Sequence, residues 1–209
     1  MKIAVGVATG LLVAGFQAQA SDRFPELTQE NMTPQQKQVV ESIMSGPRKS
    51  LSGPFNAWLR SPDLGDRLQK VGEYIRFKTS LPPRLNEFAI LIAARYWTAQ
   101  YEWYAHYPLA MKAGLDPKVA AGLAAGKTPR GMQDDEKIVY DFCTELRNTR
   151  KVSDATFNAA VAKLGERAVV DLIGLSGYYD TVSMTLNVAQ VGLPAGETPP
   201  LKELKKSAK

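Results

Sequence analysis

Apolar residues along the chain recur at three- and four-residue steps, the period of helices that bury one side. Between Ser61-Pro62-Asp63 and Pro82-Pro83, such a stripe runs through Leu64, Leu68, Val71 and Ile75, with Asp66, Arg67, Lys70 and Glu73 off it. Val139, Phe142, Cys143 and Leu146 repeat the pattern. The last long stretch carries Val169, Leu172, Ile173, Leu175, Tyr178, Val182 and Leu186, and its Ser176 and Gly177 are expected to admit a neighbouring helix. The punctuation agrees. Thr33-Pro34, Ser61-Pro62 and Asp116-Pro117 each place a capping residue before a proline at the first helical position, and Ser153-Asp154 opens another helix. Gly114, Gly126 and Gly165 are stops, and Pro108 marks a first turn or a kink. Asp134 and Asp135 precede the Cys143 helix and Arg147 and Arg150 close it, as the helix dipole favours. No stretch sustains strand alternation. The expected fold is all-α, a helical bundle.

One stretch, Glu87 to His106, departs from simple amphipathicity. It holds the single histidine of the chain, two carboxylates and two of the three tryptophans. Glu102 and His106 are four apart and share a helix face. Glu87 lies nineteen residues before His106, too far for one straight helix to align them. A break near Arg95–Thr98 would let two helices bring all three together. A carboxylate beside an imidazole raises its pKa and orients its tautomer, the usual support of an acid–base histidine. Ordinary structural roles are open to the same residues: Arg84 and Glu87 could form a surface ion pair, Arg95 could snorkel, and the aromatics could pack. Trp97, Trp103, Tyr104 and Tyr107 exceed what one helix face needs for its own core and are expected at a subunit interface.

This frame resembles the carboxymuconolactone decarboxylase family, which includes the alkylhydroperoxidase D-like proteins. There a glutamate begins a helix, and about a dozen residues later come Cys-x-His-Cys and a histidine four residues on. Glu87 and His106 fall on the first glutamate and the final histidine; Ala99 and Glu102 fall on the cysteines and Tyr101 on the intermediate histidine. The likeness runs from about Pro54 to Leu193, with Ala113–Leu115 and Gly177–Tyr179 as landmarks. It implies an alkylhydroperoxidase D-like bundle over residues 54–193, after an N-terminal helical arm at 21–53. It also implies homo-oligomers, commonly trimers or multiples of them.

Composition narrows the chemistry. Cys143 is the only cysteine, so neither an intramolecular disulfide nor the family's dithiol peroxidase cycle can form. Cys143 is expected to be a buried structural thiol, its pKa raised by Asp141 and Glu145. The decarboxylase analogy needs no thiol and no cofactor. In it His106 moves a proton at a ring carbon, Glu87 or Glu102 sets its protonation, Arg84 or Arg95 holds a substrate carboxylate, and Tyr101 also binds substrate. A small carboxylated or lactone-type substrate follows. The alternative is a non-enzymatic binding or assembly protein on the same scaffold. A metal site is weakly supported, because no His-x-x-x-His or cysteine cluster accompanies the histidine.

The first twenty residues read as an export signal: Lys2, a mostly apolar Ile3–Phe16, and Ala18-Gln19-Ala20 ahead of Ser21. The apolar run is shorter than a spanning helix needs. A periplasmic or secreted protein without stable membrane insertion is expected, and cleavage lowers the formal net charge from +5 to +4 by removing Lys2. Residues 194–209 read as an irregular, solvated basic tail, with Lys202, Lys205, Lys206 and Lys209 near its end. No aromatic-interleaved basic patch suggests a nucleic acid.

Overall fold

A computed structural model describes residues 23–204. The export signal read at residues 1–20 lies outside them, as do Lys205, Lys206 and Lys209. Among the described residues the fold is all-helical, with nine helices and no strand. They are α1 (Pro34–Ser45), α2 (Phe55–Trp58), α3 (Pro62–Phe77), α4 (Pro83–Trp97), α5 (Gln100–Lys112), α6 (Pro117–Ala124), α7 (Asp134–Thr149), α8 (Asp154–Leu164) and α9 (Glu166–Ala189).

The core forms around α4. Every residue from Leu85 to Arg95 is buried, so this helix has no solvent face, and α5, α6, α7 and α9 pack about it. Apolar residues on every side of Phe88–Ala94 put this helix inside. Ala89, Ala93 and Ala94 allow its neighbours close. Its N-terminal end is tied to α7: Arg84 donates to Asp135 at 2.8 Å and to the buried Glu136. The expected surface pair of Arg84 with Glu87 is therefore replaced by a bidentate tie between two helix starts. Glu136, hidden beyond the more obvious Asp134 and Asp135, also accepts from the Gln133 N–H and completes a capping box.

The outward face of α3 is a correction. Leu64 and Val71, read as core, are exposed, whereas Gly65, Gln69, Gly72 and Ile75 are buried. Close approach decides this. A Cβ at Gly65 would lie 2.9 Å from the Trp58 carbonyl oxygen, and one at Gly72 would lie 2.0 Å from the Tyr178 hydroxyl oxygen. The two glycines admit Trp58 and Tyr178, larger apolar bodies than the leucine and valine left outside. On α9, Ile173 is likewise exposed, and a Cβ at Gly177 would meet nothing within 4 Å, so Gly177 admits no neighbour.

The C-terminal segment is fastened at Leu201 and Lys202. Leu201 is buried, and the Gln100 side chain brackets it, donating to its carbonyl at 2.8 Å and accepting from its N–H at 2.9 Å. Arg95 donates to the Lys202 carbonyl at 3.0 Å. The expectation of a solvated tail is corrected at Leu201, which is buried, while Lys202, Glu203 and Leu204 are irregular and exposed as expected.

Candidate functional site

The turn between α4 and α5 builds the site. α4 stops at Trp97, and Thr98 caps it in the left-handed region (φ 49°), with the Ala99 N–H donating back to the Ala94 carbonyl at 2.8 Å. That reversal matches the C-terminal motif in which a left-handed residue closes the last carbonyls. It lays α5 against α4, so Glu87 near the start of one helix meets Glu102 and His106 on the other.

His106 is held from both sides. Its Nδ1 is 2.7 Å from Glu87 Oε2, and its Nε2 is 3.0 Å from Glu102 Oε1. The second contact is an ion pair, and Glu102 Oε1 has no other partner among the described residues. Tyr179 meets the imidazole edge-to-face at 5.2 Å. All three residues of the cluster are buried. Burial works against a charged ring, but the charges of Glu102 and Glu87 and their contacts outweigh it and hold the His106 pKa at about 9. At neutral pH the ring is an imidazolium with both N–H groups engaged. It has a proton to give.

A cavity of about 50 Å³ opens on the Glu102 side of the ring, lined by Arg48, Tyr101, Glu102, His106, Tyr178 and Tyr179 among others. Arg48 reaches it from the loop between α1 and α2, with its guanidinium 4.9 Å from the Phe55 ring centre. Its Nη2 is buried without a hydrogen-bond partner. Burial pushes the Tyr178 hydroxyl up to about 12 and Tyr179 well above the ordinary phenol value. Both stay neutral hydrogen-bond donors. Burial also raises Tyr101. On the other side of the ring, Glu87 borders an open depression with Pro82, Arg84, Leu109 and Lys112. The Glu87–His106–Glu102 chain thus runs from an open depression to a smaller, more recessed cavity.

The structure brings Glu87, Glu102, His106 and Tyr101 together. It places Arg84 and Arg95 elsewhere: Arg84 is tied to Asp135 and Glu136, and Arg95 donates to Thr98 and to the backbone of Ala124 and Lys202. Neither lines the His106 cavity. The cation there is Arg48, from the loop between α1 and α2, where its position between Gly46-Pro47 and Gly53-Pro54 is the signal the sequence offers. Trp103, expected at an interface, is buried and stacks on Tyr107. Cys143 is buried beside Ser176, and its pKa is raised by burial, with Asp180 adding to it; Asp141 and Glu145 do not contribute.

No protein-family model, curated protein or solved structure matches this chain.

Proposed function

We propose that the protein is an exported, cofactor-independent lyase or isomerase that moves a proton on a small carboxylated or lactone-type molecule. The likeness to the carboxymuconolactone decarboxylase family supports this through Glu87 and His106, and with it an alkylhydroperoxidase D-like bundle that assembles as trimers or multiples of trimers. The observation that carries the reading is the convergence of Glu87, His106 and Glu102 beside a cavity into which Arg48 brings an unpartnered cation.

In this reading Arg48 binds the substrate carboxylate, and His106 gives its proton to the carbon or oxygen that gains electron density. Glu102 holds the ring charged, and Glu87 returns a proton from the open side. Tyr178 and Tyr179 donate to developing oxyanions without ionising. The cavity takes a carboxylate-sized group, whereas drug-sized ligands occupy roughly 300–1,000 Å³. A ring does not fit the cavity as it stands.

That small volume favours a second reading, a binding or assembly protein whose acid–base cluster only shapes its core. Turnover assays with small carboxylated lactones separate the two. The enzyme reading expects activity that Arg48→Ala abolishes while the fold is retained. Activity unchanged in that variant, or no turnover across such a panel together with no effect of any carboxylate on His106, contradicts it.

A further inference from the structure

We propose that a second site, the groove between α4, α6 and α7, binds an organic carboxylate with an apolar or aromatic body, and that Arg95 is the cation that receives it. The proposal does not rest on the function assigned to His106, because the groove and the His106 cavity share no lining residue.

Arg95 is the anomaly. It is 3% exposed, yet no carboxylate lies within ion-pairing distance of it among the described residues. Arg84 and Arg147, the other enclosed arginines of α4 and α7, both pair with acids. Among the described residues Arg95 donates to the carbonyls of Ala124 and Lys202 and to the Thr98 hydroxyl, at 3.2, 3.0 and 2.8 Å, and to no acid. Its Nε is buried with no partner. A guanidinium taken out of water without an anion is strongly unfavourable, and a bound carboxylate relieves it. Burial lowers the Arg95 pKa, and Glu203 alone opposes that.

The groove suits such a ligand. Its volume is about 840 Å³, inside the roughly 300–1,000 Å³ range of small-molecule sites. Ile92 and Leu123 supply apolar wall, and Tyr96 and Tyr140 supply rings. Lys127 stands at the groove, exposed and without an ion-pair partner among the described residues. Arg147 is already engaged by Asp180 at 3.0 Å. Among the described residues the one acid lining the groove is Glu203, carried in by the C-terminal segment. Its seat is built: Gly126 leaves space that a Cβ would fill at 2.4 Å from Leu204 Cδ2. Glu203 thus stands in for the ligand's charge. A ligand carboxylate displaces Glu203 and completes the pairing of Arg95.

Isothermal titration of the protein with benzoate and with octanoate tests this. The expected result is one site per chain that weakens with added salt. Glu203→Gln, which removes the competing charge, tightens it several-fold. Lys127→Glu, at an exposed position, weakens it by roughly tenfold or more. Arg95→Gln abolishes it, with circular dichroism confirming the fold; if that variant does not fold, Lys127→Glu and Glu203→Gln decide. No binding by either wild type or Glu203→Gln overturns the proposal. So does binding that Lys127→Glu leaves unchanged, and binding lost in Arg48→Ala assigns the carboxylate to the His106 cavity instead.

Discussion

His106 Nδ1 stands 2.7 Å from Glu87 Oε2 across nineteen residues of chain, and both groups are buried. The reversal at Thr98 and Ala99 makes that contact, so the turn is part of the site as much as the side chains are. Removing the ring alone would leave two buried acids without a counter-charge. His106→Ala is therefore expected to lose roughly 3–5 kcal/mol of stability as well as activity. Chemical denaturation of the variant checks it, and a loss under 1 kcal/mol would show that the acids do not depend on the ring.

Stability should follow the charge on this ring. The folded value of about 9 lies above the ordinary 6.5, so the contribution is full below about pH 6.5 and is lost as pH rises toward 9. Its size is on the order of 3 kcal/mol. The urea midpoint should fall across that window. A variant carrying Glu87→Gln, Glu102→Gln and His106→Gln together should lack that step.

Glycine substitutions should have opposite signs at two helical positions. Gly72→Ala drives a methyl into the Tyr178 hydroxyl and toward Arg48, 3.1 Å from its Nη2, and should cost about 1–3 kcal/mol. Gly177→Ala meets nothing and should gain about 0.5–1 kcal/mol. Urea midpoints decide both, and a gain at Gly72 would show that Tyr178 is not held there.

That contrast shows how far the sequence could be read. Helix starts at Thr33, Ser61, Asp116 and Ser153 were legible because capping and proline geometry are local. The meeting of Glu87, Glu102 and His106 was legible because spacing and one break suffice. The inner face of α3 was not. An apolar stripe signals burial only where transfer from water dominates, and at Gly65 and Gly72 the room for Trp58 and Tyr178 dominates instead. Arg48 was hidden for a related reason: a loop residue has no periodicity to say which way it points. The tie of Arg84 to α7 joins residues about fifty apart in sequence, which no local pattern encodes.

Cys143→Ser should leave activity unchanged and cost about 1–3 kcal/mol, since it puts a hydroxyl into a fully buried site beside Ser176. Peroxide consumption coupled to thiol oxidation should be absent in wild type. Robust consumption that disappears in Cys143→Ser would contradict the acid–base reading.

Assembly should involve the outer face of α9. Val170, Ile173, Met184 and Val188 are exposed there, an apolar surface of the kind that marks an interface. Light scattering at micromolar concentration should give a mass above the 22.9 kDa monomer, and Ile173→Lys with Met184→Lys should lower it. An oligomer unaffected by that pair would place the interface elsewhere.

The proton on His106 is the centre of this account, and the chain contains one histidine, so its Cε1–H resonance in an NMR pH titration is unambiguous. The titration should give a pKa of about 9 in wild type, lowered in Glu102→Gln, with any alkaline limb of a pH–rate profile moving to lower pH by the same amount. A wild-type value at or below the ordinary 6.5, or one that Glu102→Gln leaves in place, would contradict the assignment of His106 as the charged proton donor.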